Sequence, residues 1–260
     1  MNRLPIIFFG HGSPMVALER SAVTRSWAET AARIGKPRAI LCISAHWLTR
    51  GTAVTAMPQP RTIHDFGAFP KALFDVQYPA PGDPELAARV KQLLAPMPVQ
   101  IDQGWGLDHG TWSVLVHAFP DADVPVVQLG MDVGKSPQAH WDVGRLLRPL
   151  RDEGVLIMGT GNIVHNLPAM DWANPNAPAY PWAAQFNETM LGAVEADEPQ
   201  TVIDFQKLGD AARLSVPSPD HFWPLLYVLG ARHPGEAAEF APNFIQHKSL
   251  SMTSILIGAR

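Results

Sequence analysis

The chain has 260 residues, 47% of them hydrophobic and 17% charged, with 25 prolines, a single cysteine and a formal net charge of −4. That length suffices for one well-buried core, and no Lys/Arg cluster marks a nucleic-acid face. The lone Cys42 rules out an intrachain disulfide. No apolar run is long enough for a bilayer span or a secretory leader, so the sequence predicts a cytoplasmic protein with no membrane or nucleic-acid partner.

In chain order, the wholly apolar run Leu4–Phe9 predicts a buried strand, stopped by Gly10-His11-Gly12 with Pro14 beyond. The two glycines leave the His11 imidazole uncrowded at a strand's carboxyl end, where open α/β sheets bind ligands. Ala22–Ile34 has helical spacing, with Trp27, Ala31 and Ile34 on one side, and Gly35-Lys36-Pro37 ends it. The strand Arg38–Ser44 leads to His46, and Thr52–Ala56 reads as another short strand. Met57–Asp83 is a long loop rich in Pro, Gly and aromatics, the profile of a functional loop, with His64 a candidate to line a substrate pocket.

Asp83-Pro84-Glu85 opens a helix running to about Leu94. Val99–Asp102 is a strand, Gly104–Gly110 a loop holding Asp108 and His109, and Thr111–Phe119 a helix. Val124–Leu129 is a strand, Gln138–Leu150 a helix, and the strand Val155–Met158 continues through Gly159-Thr160-Gly161 to His165. Asn174–Pro178 is a candidate lid, with Tyr180, Trp182 and Phe66 as candidate pocket walls. Ala183–Ala193, the stretch from Phe205 and Phe222–Gly230 read as helices; Val216–His221 is extended, and Ser254–Ile257 is a closing strand. Strands alternating with helices predict one α/β domain over 1–260, a central mixed, mostly parallel sheet with helices on both faces.

Of the ten histidines, His117, His140, His233 and His247 sit in helices or near polar termini and read as structural. His11, His46, His109, His165 and His221 each stand at the end of an element beside Gly, Asn or Asp. Imidazoles gathered on one sheet rim are a candidate site for a divalent ion.

Several blocks together resemble the class III extradiol ring-cleavage dioxygenases, in the 4,5-DOPA dioxygenase-like branch. They are Phe9-Gly10-His11-Gly12-Ser13-Pro14, Ile43-Ser44-Ala45-His46-Trp47, Tyr78-Pro79-Ala80-Pro81-Gly82, Gly106-Leu107-Asp108-His109-Gly110-Thr111-Trp112 and Gly161-Asn162-Ile163-Val164-His165-Asn166. The resemblance implies that His11, His46 and His221 hold one divalent metal, Fe(II) for catalysis or Zn(II) as found. It also implies that His165 is the acid–base group and a possible fourth ligand, and that His109 faces the substrate. One departure stands out: the wider superfamily commonly has a glutamate where this chain has His221. The implied partners are a small aromatic diol and dioxygen. Three imidazoles also suit a zinc hydrolase, in which a metal-bound water attacks an ester or amide, and a non-catalytic metal-binding protein on the same fold is the third alternative.

Overall fold

Successive residues of a strand point to opposite faces, so a strand apolar at every position needs cover on both sides. The computed structural model, which describes residues 3–259, supplies both covers. Its strands are β1 (Ile6–Gly10), β2 (Ala39–Ser44), β3 (Leu48–Thr49), β4 (Thr52–Thr55), β5 (Val99–Asp102), β6 (Val126–Asp132), β7 (Val155–Gly161), β8 (Ala238–Phe240), β9 (Ile245–Gln246), β10 (Leu250–Ser251) and β11 (Ile255–Ile257). Ile6, Phe8, Leu41, Ile43 and Ile157 feed one core, closed by Val143, Phe186 and Leu226 from helices Pro137–Leu147, Pro181–Glu195 and Trp223–Gly230. Ile7, Phe9, Ile40, Cys42 and Met158 feed the other, closed by Trp27 of helix Ala22–Ile34 and Trp112 of helix His109–Ala118.

The main sheet runs β5-β4-β6-β2-β7-β1-β11-β8, with β3 beside β6. Its central strands β6, β2, β7 and β1 are parallel, as are the pairs β4–β5 and β3–β6, while β4–β6, β1–β11 and β11–β8 pair antiparallel. The mixed, mostly parallel α/β architecture expected from the sequence is thus the observed one. Because β1, β2 and β7 are adjacent and parallel, their carboxyl ends share one rim, and the segments after them emerge together.

Helix starts follow cap chemistry. Ser21 and Thr24 form a reciprocal capping box before Ala22. Asp83 accepts from Leu86 N at 2.9 Å, with Pro84 in the first turn. The helix expected from Thr111 begins two residues earlier, at His109, because Asp108 accepts from Thr111 N and so caps it. The Met57–Asp83 loop contains a one-turn helix, Lys71–Phe74. Beyond Gly230, β8, β9 and β10 were not foreseen; at two or three residues each they are too short to show alternation. Among the described residues no helix is long and apolar enough to cross a membrane.

Candidate metal centre

His11 directly follows β1. Gly10 is obligatory there because a Cβ would lie 2.5 Å from the Thr253 carbonyl oxygen. Asn162, one residue past β7, fastens the rim. Its Nδ2 donates to the carbonyl oxygens of His11 at 2.5 Å and Ser251 at 2.8 Å, and its N–H donates to the His221 carbonyl at 2.8 Å. One buried side chain thereby sets the spacing of three chain segments. His46 lies two residues past β2, its N–H on Ser44 Oγ at 3.2 Å, while Ser44 donates to the buried Asp108 carboxylate at 2.6 Å. His165 is held through its N–H on Ser215 O at 2.8 Å.

The rings converge. His11 Nε2 and His46 Nε2 are 3.1 Å apart. The His46 and His109 ring centres are 3.8 Å apart, and ligand nitrogens of His11, His46 and His109 all lie within 4.8 Å of one another. His221 stands 5.5 Å from His11 and 5.0 Å from His46, centre to centre, and stacks on His165 at 3.5 Å with the planes 5° apart. All five line one cavity of about 250 Å³, walled by Phe66, Phe69, Met170 and Trp172. Two imidazole nitrogens bound to one ion at 2.0–2.1 Å stand roughly 2.9–3.4 Å apart for angles between right and tetrahedral. The His11–His46 spacing falls inside that range, so the residues present fit a divalent ion.

Electrostatics favours the ligating form. Burial, then the neighbouring His221, His109 and His165, hold the His11 imidazolium well below its ordinary range. Burial and the surrounding rings do the same to His46. Burial, then His221, push His165 down to about 3, against a smaller opposing pull from Asp220. These three rings are therefore neutral at pH 7 and keep a lone pair for an ion or a proton.

Two carboxylates orient the rings. Asp220 accepts a short hydrogen bond from His221 Nδ1, leaving Nε2 free to face the cavity. Burial alone would raise the Asp220 carboxyl, but that bond and the His221 charge drive it well below the usual carboxylate range. Asp65 accepts from His109 N–H at 2.9 Å, and its Oδ2 lies 3.0 Å from His109 Nδ1 and 3.8 Å from His46 Nδ1. The geometry of His109 Nδ1 does not meet that of a hydrogen bond to this oxygen. Burial works against the Asp65 carboxylate as well, yet the contacts to His109 hold its pKa below the ordinary value. Asp65 was not legible from the chain alone, since an aspartate in a loop carries no periodic or capping signal.

His64 lies behind Phe66. Its Nε2 meets Val76 O at 3.0 Å, and its ring packs on Phe66, Phe74 and Trp112. It is not among the residues that line the cavity, and a substrate-facing role for it is not supported. Tyr180 and Trp182 stack on each other against the core, and Trp172 stands where they were expected. Among the residues read as structural, His140 is fully buried with Nδ1 2.8 Å from the Tyr227 hydroxyl.

Comparison with known proteins agrees with this arrangement. Residues 6–257 match the family described as the catalytic LigB subunit of aromatic ring-opening dioxygenase. A 4,5-DOPA dioxygenase extradiol of Escherichia coli (strain K12) is 48% identical over 264 residues, covering 99% of this chain and 96% of that protein. One of the same name from Beta vulgaris is 37% identical over 243 residues, covering 91% and 90%. A crystal structure of an Escherichia coli K12 protein described as uncharacterized superposes with a TM-score of 0.86 at 42% identity, covering 98% of this chain and all of that one. With this rim of imidazoles and a match over nearly its whole length, the chain belongs to the LigB family, the aromatic ring-opening dioxygenases.

Proposed function

We propose that this chain, acting as one catalytic domain, opens the ring of a catechol next to its diol, with a DOPA-like compound as substrate. Its cofactor is one Fe(II), and zinc in the same site gives a redox-silent form. The observation that carries the reading is the meeting of five imidazoles in one small aromatic-walled cavity on the carboxyl rim. The relatives named 4,5-DOPA dioxygenase extradiol support the substrate class. His11, His46 and His221 are the proposed ligands, leaving open positions as in other facial three-ligand iron sites. When bound there, iron supplies a common anchor for diol and dioxygen and a path for electrons between them.

The chain's own groups handle orientation and protons. Phe66 and Phe69 form an apolar wall for the flat ring. His165 Nε2 or Nδ1, neutral at pH 7, would accept the second catechol proton and hold it for return to an oxygen atom. His165 protonates only when the negative diolate is beside it, because burial keeps the free ring neutral. The Asp220 carboxylate, held on the stacked His221, then favours the imidazolium. His109, steered by Asp65, would hydrogen-bond dioxygen or a substrate hydroxyl in the cavity. A reducing, cytoplasmic setting fits the lone Cys42, which is buried against Thr111.

A second ligand set, His11, His46 and His109, is favoured by the 4.8 Å grouping of their nitrogens. Metal analysis of His109→Ala and His221→Ala separates the two, since only a ligand's loss empties the site. The function itself is tested by anaerobic Fe(II) reconstitution followed by DOPA or another catechol and oxygen. The expected result is a yellow ring-opened product with one dioxygen consumed per diol. Turnover of an ester with zinc, indifferent to oxygen, would replace this reading with a hydrolase; no turnover of either kind would leave a binding protein.

A further inference from the structure

Beside the metal-side cavity lies a second one of about 370 Å³, and Gly12, Ser13, Met170, Trp172 and Leu250 line both. At about 250 Å³ the first cavity holds a ring and little more, below the roughly 300–1,000 Å³ of clefts that take drug-sized ligands. The second chamber has no role in the chemistry described above. Its polar lining comes from Ser13, Glu19, Ser21, Asn176, Gln246 and His247, and of these Glu19 alone carries a fixed charge. Trp172, 65% exposed, stands between the chambers with its ring 5.5 Å from His247. His247 reaches this position from the β9–β10 turn, where it and Lys248 hold φ of 51° and 68°, the left-handed region that glycine or asparagine usually fills. His247 Nδ1 lies 3.0 Å from Asp171 O, which fixes the ring.

Resting on the catechol reading of the metal centre, we propose that this second chamber binds the ring substituent of the substrate and selects for an ammonium group. Glu19 supplies the opposite charge and the Trp172 face a cation-attracting surface, while no lysine or arginine in the lining offers a partner to a carboxylate. The preferred substrates are therefore catechols with a short, amine-bearing side chain. Catechols with a neutral or purely anionic side chain lose the contribution of this chamber.

The test is calorimetric titration of the Fe(II)-loaded protein without oxygen, so that binding is read with no turnover. The probes are dopamine, 4-methylcatechol and 3,4-dihydroxyphenylacetate. Dopamine is expected to bind at least tenfold tighter than 4-methylcatechol, and the carboxylate no tighter than 4-methylcatechol. Glu19→Gln, an isosteric change at an exposed residue, is expected to erase the dopamine advantage while leaving 4-methylcatechol within twofold. Equal affinities for all three probes, or an advantage that survives Glu19→Gln, would overturn the inference alone. Failure of 4-methylcatechol to bind at all would overturn the catechol reading, and this inference with it.

Discussion

Replacing Gly110 with alanine probes the metal centre from behind. Gly110 is the second residue of helix His109–Ala118, and a Cβ there would lie 2.6 Å from Ser44 Oγ and 2.7 Å from His46 Cδ2. Ordinary contact begins near 3.4 Å, so the His46 ring must retreat by roughly 0.7 Å, whereas a ligand bond tolerates about 0.2 Å. Ser44 can escape only by leaving Asp108, which forfeits a hydrogen bond to a buried carboxylate, about 1.5–3 kcal/mol. Alanine returns up to about 1 kcal/mol in helix propensity. With that full return the metal-free protein is expected to lose about 0.5–2 kcal/mol, a fall in Tm of a few degrees for a chain this long. Metal affinity is expected to fall at least 100-fold, about 2.7 kcal/mol, because one imidazole leaves its place. Chelator competition under anaerobic conditions measures the affinity, and melting of the metal-free protein measures the fold. Gly192→Ala is the control: nothing lies within 4 Å of its Cβ position in helix Pro181–Glu195. A Gly110→Ala protein that binds metal within threefold of the parent would refute the placement of His46.

Three further outcomes are expected. His165→Ala should keep its metal content within twofold while ring opening drops by roughly 10²–10⁴-fold, the usual contribution of a general acid–base group; loss of most of the metal would make His165 a ligand. His221→Glu should shift preference from zinc toward iron, read from metal content after loading with equal amounts of both, and a variant that holds neither counts against His221 as ligand. His140, pushed down to about 4 by burial, binds its proton only in the unfolded chain between that value and the ordinary 6.5. Its stabilisation is thus complete above pH 6.5 and is lost as pH falls toward 4, roughly 3 kcal/mol in all. Urea unfolding at pH 7, 5.5 and 4.5 should show a shallower loss for His140→Gln than for the parent; parallel curves would contradict the assignment.

The central strands and the rim were legible because their signals are local. An unbroken apolar run that ends in Gly-His-Gly, or in Gly-Thr-Gly-Asn before His165, declares both a two-sided buried strand and its exit. The helix start at Asp83-Pro84 was readable from its cap, although the caps at Ser21 and Asp108 were passed over. What the sequence withheld depends on contacts between distant segments. Asp65 is 44 residues from His109, and nothing near it in the chain marks it as the partner of that ring. Asn162 was visible inside a motif, but its grip on His11, Ser251 and the His221 segment appears only in three dimensions. Tyr180 and Trp182 were drawn to the pocket by their chemistry, yet mutual stacking against the core uses them, and the exposed Trp172 takes the wall.

The most direct test is an anomalous-difference map from crystals of the metal-loaded protein. One peak about 2.0–2.2 Å from a nitrogen of each of His11, His46 and His221, with His165 facing it beside an open position, is the expected result. A peak bound by His11, His46 and His109 without His221, or no peak among these rings, would contradict the proposed centre.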